Sequence, residues 1–297
     1  MQWDPILITN LGRVISTILR AGGQTVLIAC TSLTLTSCQS NPISIQQKAI
    51  ESGWRLSIRN KPNELPLVML RSHNSSTANR PLHIYIEGDG LPWRTSTQIS
   101  NDPTPRHPVA MDLMQYDPGP ALYLGRPCYF GLQKVQPCNA DYWTSARYSE
   151  KVVDTLNHAI QEALDAGSHQ EAVLIGYSGG GSLAILLANR NSRIKGALLI
   201  APNFDTAVWT QHHGFTPLYD SMNPAQEKKP RPYPEIYWFG DEDKNVPAIP
   251  FASMAARRDH ASVVRLADFD HACCWTRMAQ RGELMKAISL IEAHHDP

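Results

Sequence analysis

The sequence predicts an α/β protein, a mostly parallel central sheet covered by helices on both faces. Three observations carry that expectation. Glu171-Ala172-Val173-Leu174-Ile175 is an apolar run of strand length that enters Gly176-Tyr177-Ser178-Gly179-Gly180-Gly181-Ser182, and Leu183 to Asn189 then has helical character, so a buried parallel strand turns directly into a helix. Elsewhere, apolar runs of strand length alternate with amphipathic helical stretches, as crossover-connected parallel strands require. With 297 residues, 42% of them hydrophobic, the chain can bury a large core, and no second core is evident.

Taken in order, the chain opens on an export pattern. Arg13 and Arg20 precede an uncharged stretch containing Thr25-Val26-Leu27-Ile28-Ala29-Cys30 and running on to Leu35-Thr36-Ser37-Cys38. A basic segment, a short apolar segment and small residues before a cleavage point make a signal peptide, and the apolar part is too short to span a bilayer stably. Leu35-Thr36-Ser37-Cys38 resembles the lipobox of bacterial lipoproteins, with Cys38 receiving the lipid. Leu27-Ile28-Ala29-Cys30 fits the pattern but has Gly22, Gly23 and Gln24 where apolar residues should precede it. The alternative is an ordinary cleaved signal or a buried amphipathic helix. Gln39 is similar to the residue found in lipoproteins sorted to the outer membrane, so the expected location is the bacterial cell envelope, lipid-anchored, facing the periplasm. This reading divides the chain into a signal over 1–38, a tether over 39–53 and one domain over 54–297.

An oxidising compartment makes cysteine pairing relevant. With Cys30 removed and Cys38 lipidated, Cys128, Cys138, Cys273 and Cys274 remain, which allows three pairings. Cys128–Cys138 is favoured: a short polar loop joins them, each follows a proline, and a loop of that size contributes about 3 kcal/mol by restricting the unfolded chain. Cys273-Cys274 is left open between a vicinal bond and buried thiols.

Within the domain, 54–59 and 67–70 read as antiparallel edge strands around the turn residues Lys61-Pro62-Asn63. Leu82-His83-Ile84-Tyr85-Ile86 is a third strand, ending in Glu87-Gly88-Asp89-Gly90. Residues 91–120 read as a long loop, 121–124 as a strand, and 149–166 as an amphipathic helix with Val152, Val153, Leu156, Ile160 and Leu164 at helical spacing and Gly167 at its end. Further strands are expected at 194–200, 236–239 and 263–266, and a closing helix at 278–293. The turn-rich, aromatic stretch 203–232 reads as a loop-rich cap insertion above the sheet.

The strand–Ser178–helix junction is where chemistry enters. Gly-X-Ser-X-Gly at such a junction is a nucleophile elbow: the serine takes a strained conformation, and the flanking glycines let strand and helix approach. A serine needs a base and the base an orienter. The strand at 236–239 runs into Gly240-Asp241-Glu242-Asp243-Lys244-Asn245-Val246-Pro247, whose spacing singles out Asp243 as the acid, with Asp241 the substitute and a solvated acidic turn the plain alternative. His271, after the last strand and before the closing helix, is the expected base among 11 histidines; His212 and His213 precede the acid and break the order Ser, acid, His. Stabilising the tetrahedral oxyanion needs two donors. The backbone N–H of Gly179 is one; the other is expected from Gly88-Asp89, through the main chain of Asp89, with its carboxylate turned away or paired to Arg94. A plain Gly-Asp-Gly turn is the alternative.

Together, Gly176-Tyr177-Ser178-Gly179-Gly180, Asp243, His271 and Glu87-Gly88-Asp89-Gly90 resemble a bacterial α/β-hydrolase lipoprotein over the whole chain from about Trp54. Glu87 departs from the pattern by standing where a histidine is usual. The resemblance implies the α/β-hydrolase fold and hydrolysis through an acyl-enzyme, without metal or organic cofactor. The expected partners are a small-molecule ester and, through the anchor, a membrane. Lys plus Arg and Asp plus Glu balance at 27 each, so no net field favours nucleic acid. Two other readings remain: a peptidase or amidase on the same residues, with Glu87, Asp89 or Asp205 binding a substrate amine, and a non-catalytic envelope lipoprotein that keeps the fold. The aromatics Trp93, Trp209, Phe204, Phe215 and Trp275 are expected near the pocket or cap and would suit an apolar acyl group; the alternative is that they only pin the long loops that carry them.

Overall fold

The computed structural model describes residues 45–73, 80–228, 230 and 232–294. The signal segment, Cys38 and the start of the tether lie outside them. The chain contributes α1 (Ile45–Glu51), β1 (Arg55–Arg59), β2 (Leu67–Arg71), β3 (Leu82–Ile86), α2 (Val109–Met114), β4 (Ala121–Leu124), α3 (Glu150–Gly167), β5 (Ala172–Tyr177), α4 (Gly179–Arg190), β6 (Ile194–Ile200), α5 (Thr206–His213), β7 (Glu235–Gly240), α6 (Ala248–Ala255), β8 (Ala261–Leu266), α7 (Trp275–Gln280) and α8 (Glu283–Glu292).

The strands form one sheet in the order β1-β2-β4-β3-β5-β6-β7-β8. β1 and β2 run antiparallel at one edge, and the strands from β4 to β8 are mutually parallel. Side-chain alternation sends Ile84, Leu174 and Leu199 to one face, under α3, α4 and α6. Tyr85, Ile175 and Leu198 go to the other, under α2, α7 and α8. Both faces are therefore buried, which is why β5 is apolar throughout its length. The order reverses at β3: the chain crosses from β3 to β4 on one side, then returns to place β5 on the other. Crevices at such reversals, beyond the carboxyl ends of the strands, are where open α/β sheets bind ligands. The two segments leaving that reversal are Glu87–Gly90 after β3 and Ser178 after β5.

Three expectations change. The tether over 39–53 is a docked helix from Ile45 onward: Ile45 and Ala49 of α1 are buried, and Lys48 reaches Asp112 at 2.9 Å. The long loop over 91–120 contains α2, whose Val109, Ala110, Met111, Leu113 and Met114 are buried. The closing helix over 278–293 is two helices, because Gly282 takes φ +80° and breaks it. The Cys128–Cys138 disulfide forms. Cys273 and Cys274 are bonded to each other, and Cys273 is exposed, which removes the buried-thiol alternative.

Candidate active site

Ser178 sits between β5 and α4 with φ 51° and ψ −122°, a conformation that L side chains rarely adopt, that costs of order 1–3 kcal/mol and that persists only where its surroundings impose it. They do. A β-carbon on Gly176 would stand 2.4 Å from the Gly180 carbonyl oxygen, and one on Gly180 would stand 2.1 Å from that of Ile86. Only glycines permit the close crossing of strand and helix that turns the serine outward.

His271 lies in the loop between β8 and α7. Its Nε2 is 3.0 Å from Ser178 Oγ and its Nδ1 is 2.8 Å from Asp243 Oδ2. The second Asp243 oxygen accepts the backbone N–H of Asn245 at 2.8 Å and of Val246 at 2.7 Å. Asp243 is buried, so its position and acceptor directions are fixed by the loop after β7. The histidine is fixed from its other side: the Tyr177 hydroxyl and the Trp275 indole N–H both donate to its carbonyl, at 2.7 Å and 2.9 Å. Asp241, the substitute acid, is exposed and pairs with Arg265 at 2.7 Å. His213 donates to the Asn245 carbonyl at 2.8 Å, beside Trp209 at 3.0 Å, so α5 is pinned onto the acid loop and neither histidine of α5 takes the place of His271.

β3 and β5 are neighbours with Ile86 opposite Gly176, so the loop after β3 runs alongside the elbow. The N–H groups of Gly179 and Asp89 have no acceptor among the described residues. That of Gly88 donates to Glu87 Oε1 at 3.1 Å, so Gly88 is not the donor expected of it. Arg94 does not pair with Asp89. The Asp89 carboxylate turns inward onto Arg126 at 2.6 Å, Arg147 at 3.0 Å and the Tyr148 hydroxyl at 2.6 Å. Burial alone would raise its pKa, but the charges of Arg147 and Arg126 and the Tyr148 hydroxyl outweigh that and hold it at about 2. The Tyr129 hydroxyl donates to the Asp89 carbonyl at 2.8 Å. Four side chains thus grip one residue. A β-carbon on Gly179 would stand 2.0 Å from the Asp89 carboxylate, so the two residues whose N–H groups are free pack directly against each other. No sequence pattern singles out Arg126, Arg147, Tyr148 and Tyr129; the one signal is an arginine two residues past the end of β4.

Glu87 is fully buried behind this loop. Besides Gly88 it accepts from the backbone N–H groups of Ala110 and Met111 and from the Tyr123 hydroxyl, each at 3.4 Å. Burial pushes it up to about 7 against those backbone donors. It is therefore a structural link between β3 and α2.

A cavity of about 1080 Å³ opens over Ser178 and His271. Trp93, Trp209 and Phe215 line it as expected, while Phe204 and Trp275 are buried in the core and do not. The stretch between β6 and β7 supplies one wall, with Trp209 from α5 and residues 214–218 after it. Among the described residues no group of three or more His, Cys, Asp or Glu side chains is placed to hold a metal.

More than a thousand solved chains match this architecture. An esterase from Pyrococcus furiosus superposes with a TM-score of 0.56 at 12% identity, over 82% of this chain and 91% of its own. A bacterial membrane phospholipase A gives 0.54 at 15%, over 84% and 90%. Alpha/beta hydrolase domain-containing protein 10 from mouse gives 0.51 at 15%, over 80% and 97%. The chain has the α/β-hydrolase fold. No protein-family model matches it, and no curated protein matches by sequence. In this α/β-hydrolase fold the elbow serine, the acid after β7 and the histidine after β8 meet at the carboxyl edge of the sheet, although 93 residues separate Ser178 from His271.

Proposed function

We propose that the protein is a serine hydrolase of carboxylic esters, working through an acyl-enzyme. The observation that carries this reading is the hydrogen-bonded line Ser178 Oγ–His271 Nε2–His271 Nδ1–Asp243 at 3.0 Å and 2.8 Å, opening onto the cavity. Neutral His271 accepts the hydroxyl proton as Ser178 Oγ bonds to the ester carbonyl carbon, and Asp243 stabilises the imidazolium. The N–H groups of Gly179 and Asp89 receive the negative charge that develops on the carbonyl oxygen, each worth about 3 kcal/mol in the transition state. His271 then gives its proton to the departing alcohol, and water repeats the sequence to release the acid and restore the serine.

The amidase reading loses its specific support. A substrate amine needs a free carboxylate, yet Glu87 is buried and hydrogen-bonded, Asp89 is held by two arginines, and Asp205 caps α5 and accepts from Asn223. The test is a matched pair, 4-nitrophenyl butyrate against butyryl-4-nitroanilide. The ester is expected to be turned over at least about a hundredfold faster, and Ser178→Ala to lower that rate by about 10⁴-fold or more. Comparable rates on the two, or an ester rate surviving Ser178→Ala, would contradict the proposal.

The location proposed with it is the bacterial envelope, facing the periplasm, with lipid on Cys38. It rests on the lipobox-like sequence, and the Cys128–Cys138 bond supports an oxidising compartment. In a bacterial host supplied with labelled palmitate, the wild type is expected to take up label and Cys38→Ser to take up none. Equal labelling would remove the anchor from the account.

A further inference from the structure

The cavity wall carries an unbalanced charge. Two carboxylates, Glu87 and Asp89, border the cavity, and both are engaged in the protein as described above. Arg147 is likewise consumed by Asp89. Arg94 and Arg106 also line it, from the long segment between β3 and α2, and both are exposed. Their guanidinium groups have no carboxylate partner among the described residues, although the chain has as many acids as bases overall. Some arginines at the surface find acids, as Arg190 does with Glu150 and Asp154, Arg193 with Asp165 and Arg265 with Asp241, while exposed Arg55, Arg257 and Arg281 have none among the described residues; what sets Arg94 and Arg106 apart is that both line the cavity over Ser178. Asp102 lies on the same segment as Arg94 and Arg106, yet its carboxylate accepts the Thr104 N–H instead of meeting either.

The segment itself is tied down. Arg94 N–H donates to the Gln98 carbonyl at 2.8 Å, Trp93 pairs with Ile99 as an isolated bridge, and the Leu91 N–H donates to the Pro103 carbonyl at 2.9 Å. Arg94 is thus carried on a tied-down stretch of the cavity wall, Arg106 lines the same cavity further along the segment, and neither guanidinium has a protein anion as partner among the described residues. Guanidinium forks match carboxylate and phosphate oxygens.

We infer that Arg94 and Arg106 form an anion subsite, and that the substrate is an ester carrying a second, negatively charged group, a carboxylate or a phosphate, away from the bond that is cut. This rests on the ester-hydrolase reading for its reaction, though not for its binding. At a solvent-exposed site each charge pair is worth a few-fold in affinity, so the two together give about tenfold, weakening as salt rises.

Two matched pairs test it on the full chain. On the acyl side, mono-4-nitrophenyl adipate is compared with 4-nitrophenyl hexanoate. On the alcohol side, 1-hexanoylglycerol 3-phosphate is compared with 1-hexanoylglycerol. The quantity read is the ratio of kcat/KM, anionic over neutral. In the wild type it is expected to reach about ten in at least one pair, which identifies the anion, and to fall toward one in Arg94→Gln/Arg106→Gln. A ratio near one in both pairs, or a high ratio that survives both substitutions, overturns the subsite. The same four compounds are titrated calorimetrically into Ser178→Ala, with and without the arginine substitutions. If the wild type turns over none of them, the hydrolase reading falls and these titrations decide the subsite alone. Tighter binding of an anionic member, lost with the arginines, upholds it; equal binding of both members of each pair overturns it.

Discussion

Asp243→Asn is expected to leave the protein folded and to lower kcat for a carboxylic ester by about 10⁴-fold. The reason is geometric. One oxygen of Asp243 is committed to the N–H groups of Asn245 and Val246, and the other faces His271 Nδ1 at 2.8 Å. An asparagine in this buried place keeps its oxygen on the two backbone donors, because the reverse orientation sets N–H against N–H. Its NH₂ then points at Nδ1 and can only donate. The imidazole must answer with the tautomer protonated on Nε2, which faces Ser178 Oγ at 3.0 Å and can no longer take a proton from it. The side chain changes by one atom with almost no change in volume, so the thermal midpoint should move little while turnover collapses. Steady-state kinetics with a thermal melt on the same sample checks both halves. A loss in kcat below tenfold with the fold intact would mean that Asp243 does not govern the histidine.

The parts of this site differ in how far a sequence could reveal them. Ser178, Asp243 and His271 were legible because each sits just beyond a strand whose apolar run is itself legible, and because this fold orders them Ser, acid, His along the chain. The β3 loop was legible as a site for a donor, but its electrostatics were not. Arg94 is the nearest arginine or lysine to Asp89 along the chain, yet it is not the partner. The true partners come from position across the sheet: β4 lies beside β3, so Arg126, just past the end of β4, reaches back under the loop. Arg147 and Tyr148 come from the irregular chain between β4 and α3, where no periodicity marks which side chains face inward. α2 is hidden in the sequence for a related reason. It is six residues long, starts after Pro108 and sits in a proline-rich stretch, so it offers too few turns for a period to appear. Its first N–H groups are held by buried Glu87, a contact that no local pattern announces.

Freeing Arg94 from Asp89 also changes the expected chemistry of the pocket. The aromatics Trp93, Trp209 and Phe215 still supply an apolar lining, but Phe204 and Trp275 belong to the core. The cavity combines those rings with unpaired positive charge, a setting for a substrate that is apolar along part of its length and anionic at one end.

A Ser178 hydroxyl primed as a nucleophile by His271 should react covalently with an electrophile that mimics the ester carbonyl. Purified protein is treated with a fluorophosphonate at neutral pH, and intact mass and peptide mapping are read for the wild type and for Ser178→Ala. One phosphonyl group per wild-type chain is expected, on Ser178, with fluoride displaced, and none on the variant. An unmodified wild type, or the same adduct on both proteins, would contradict it.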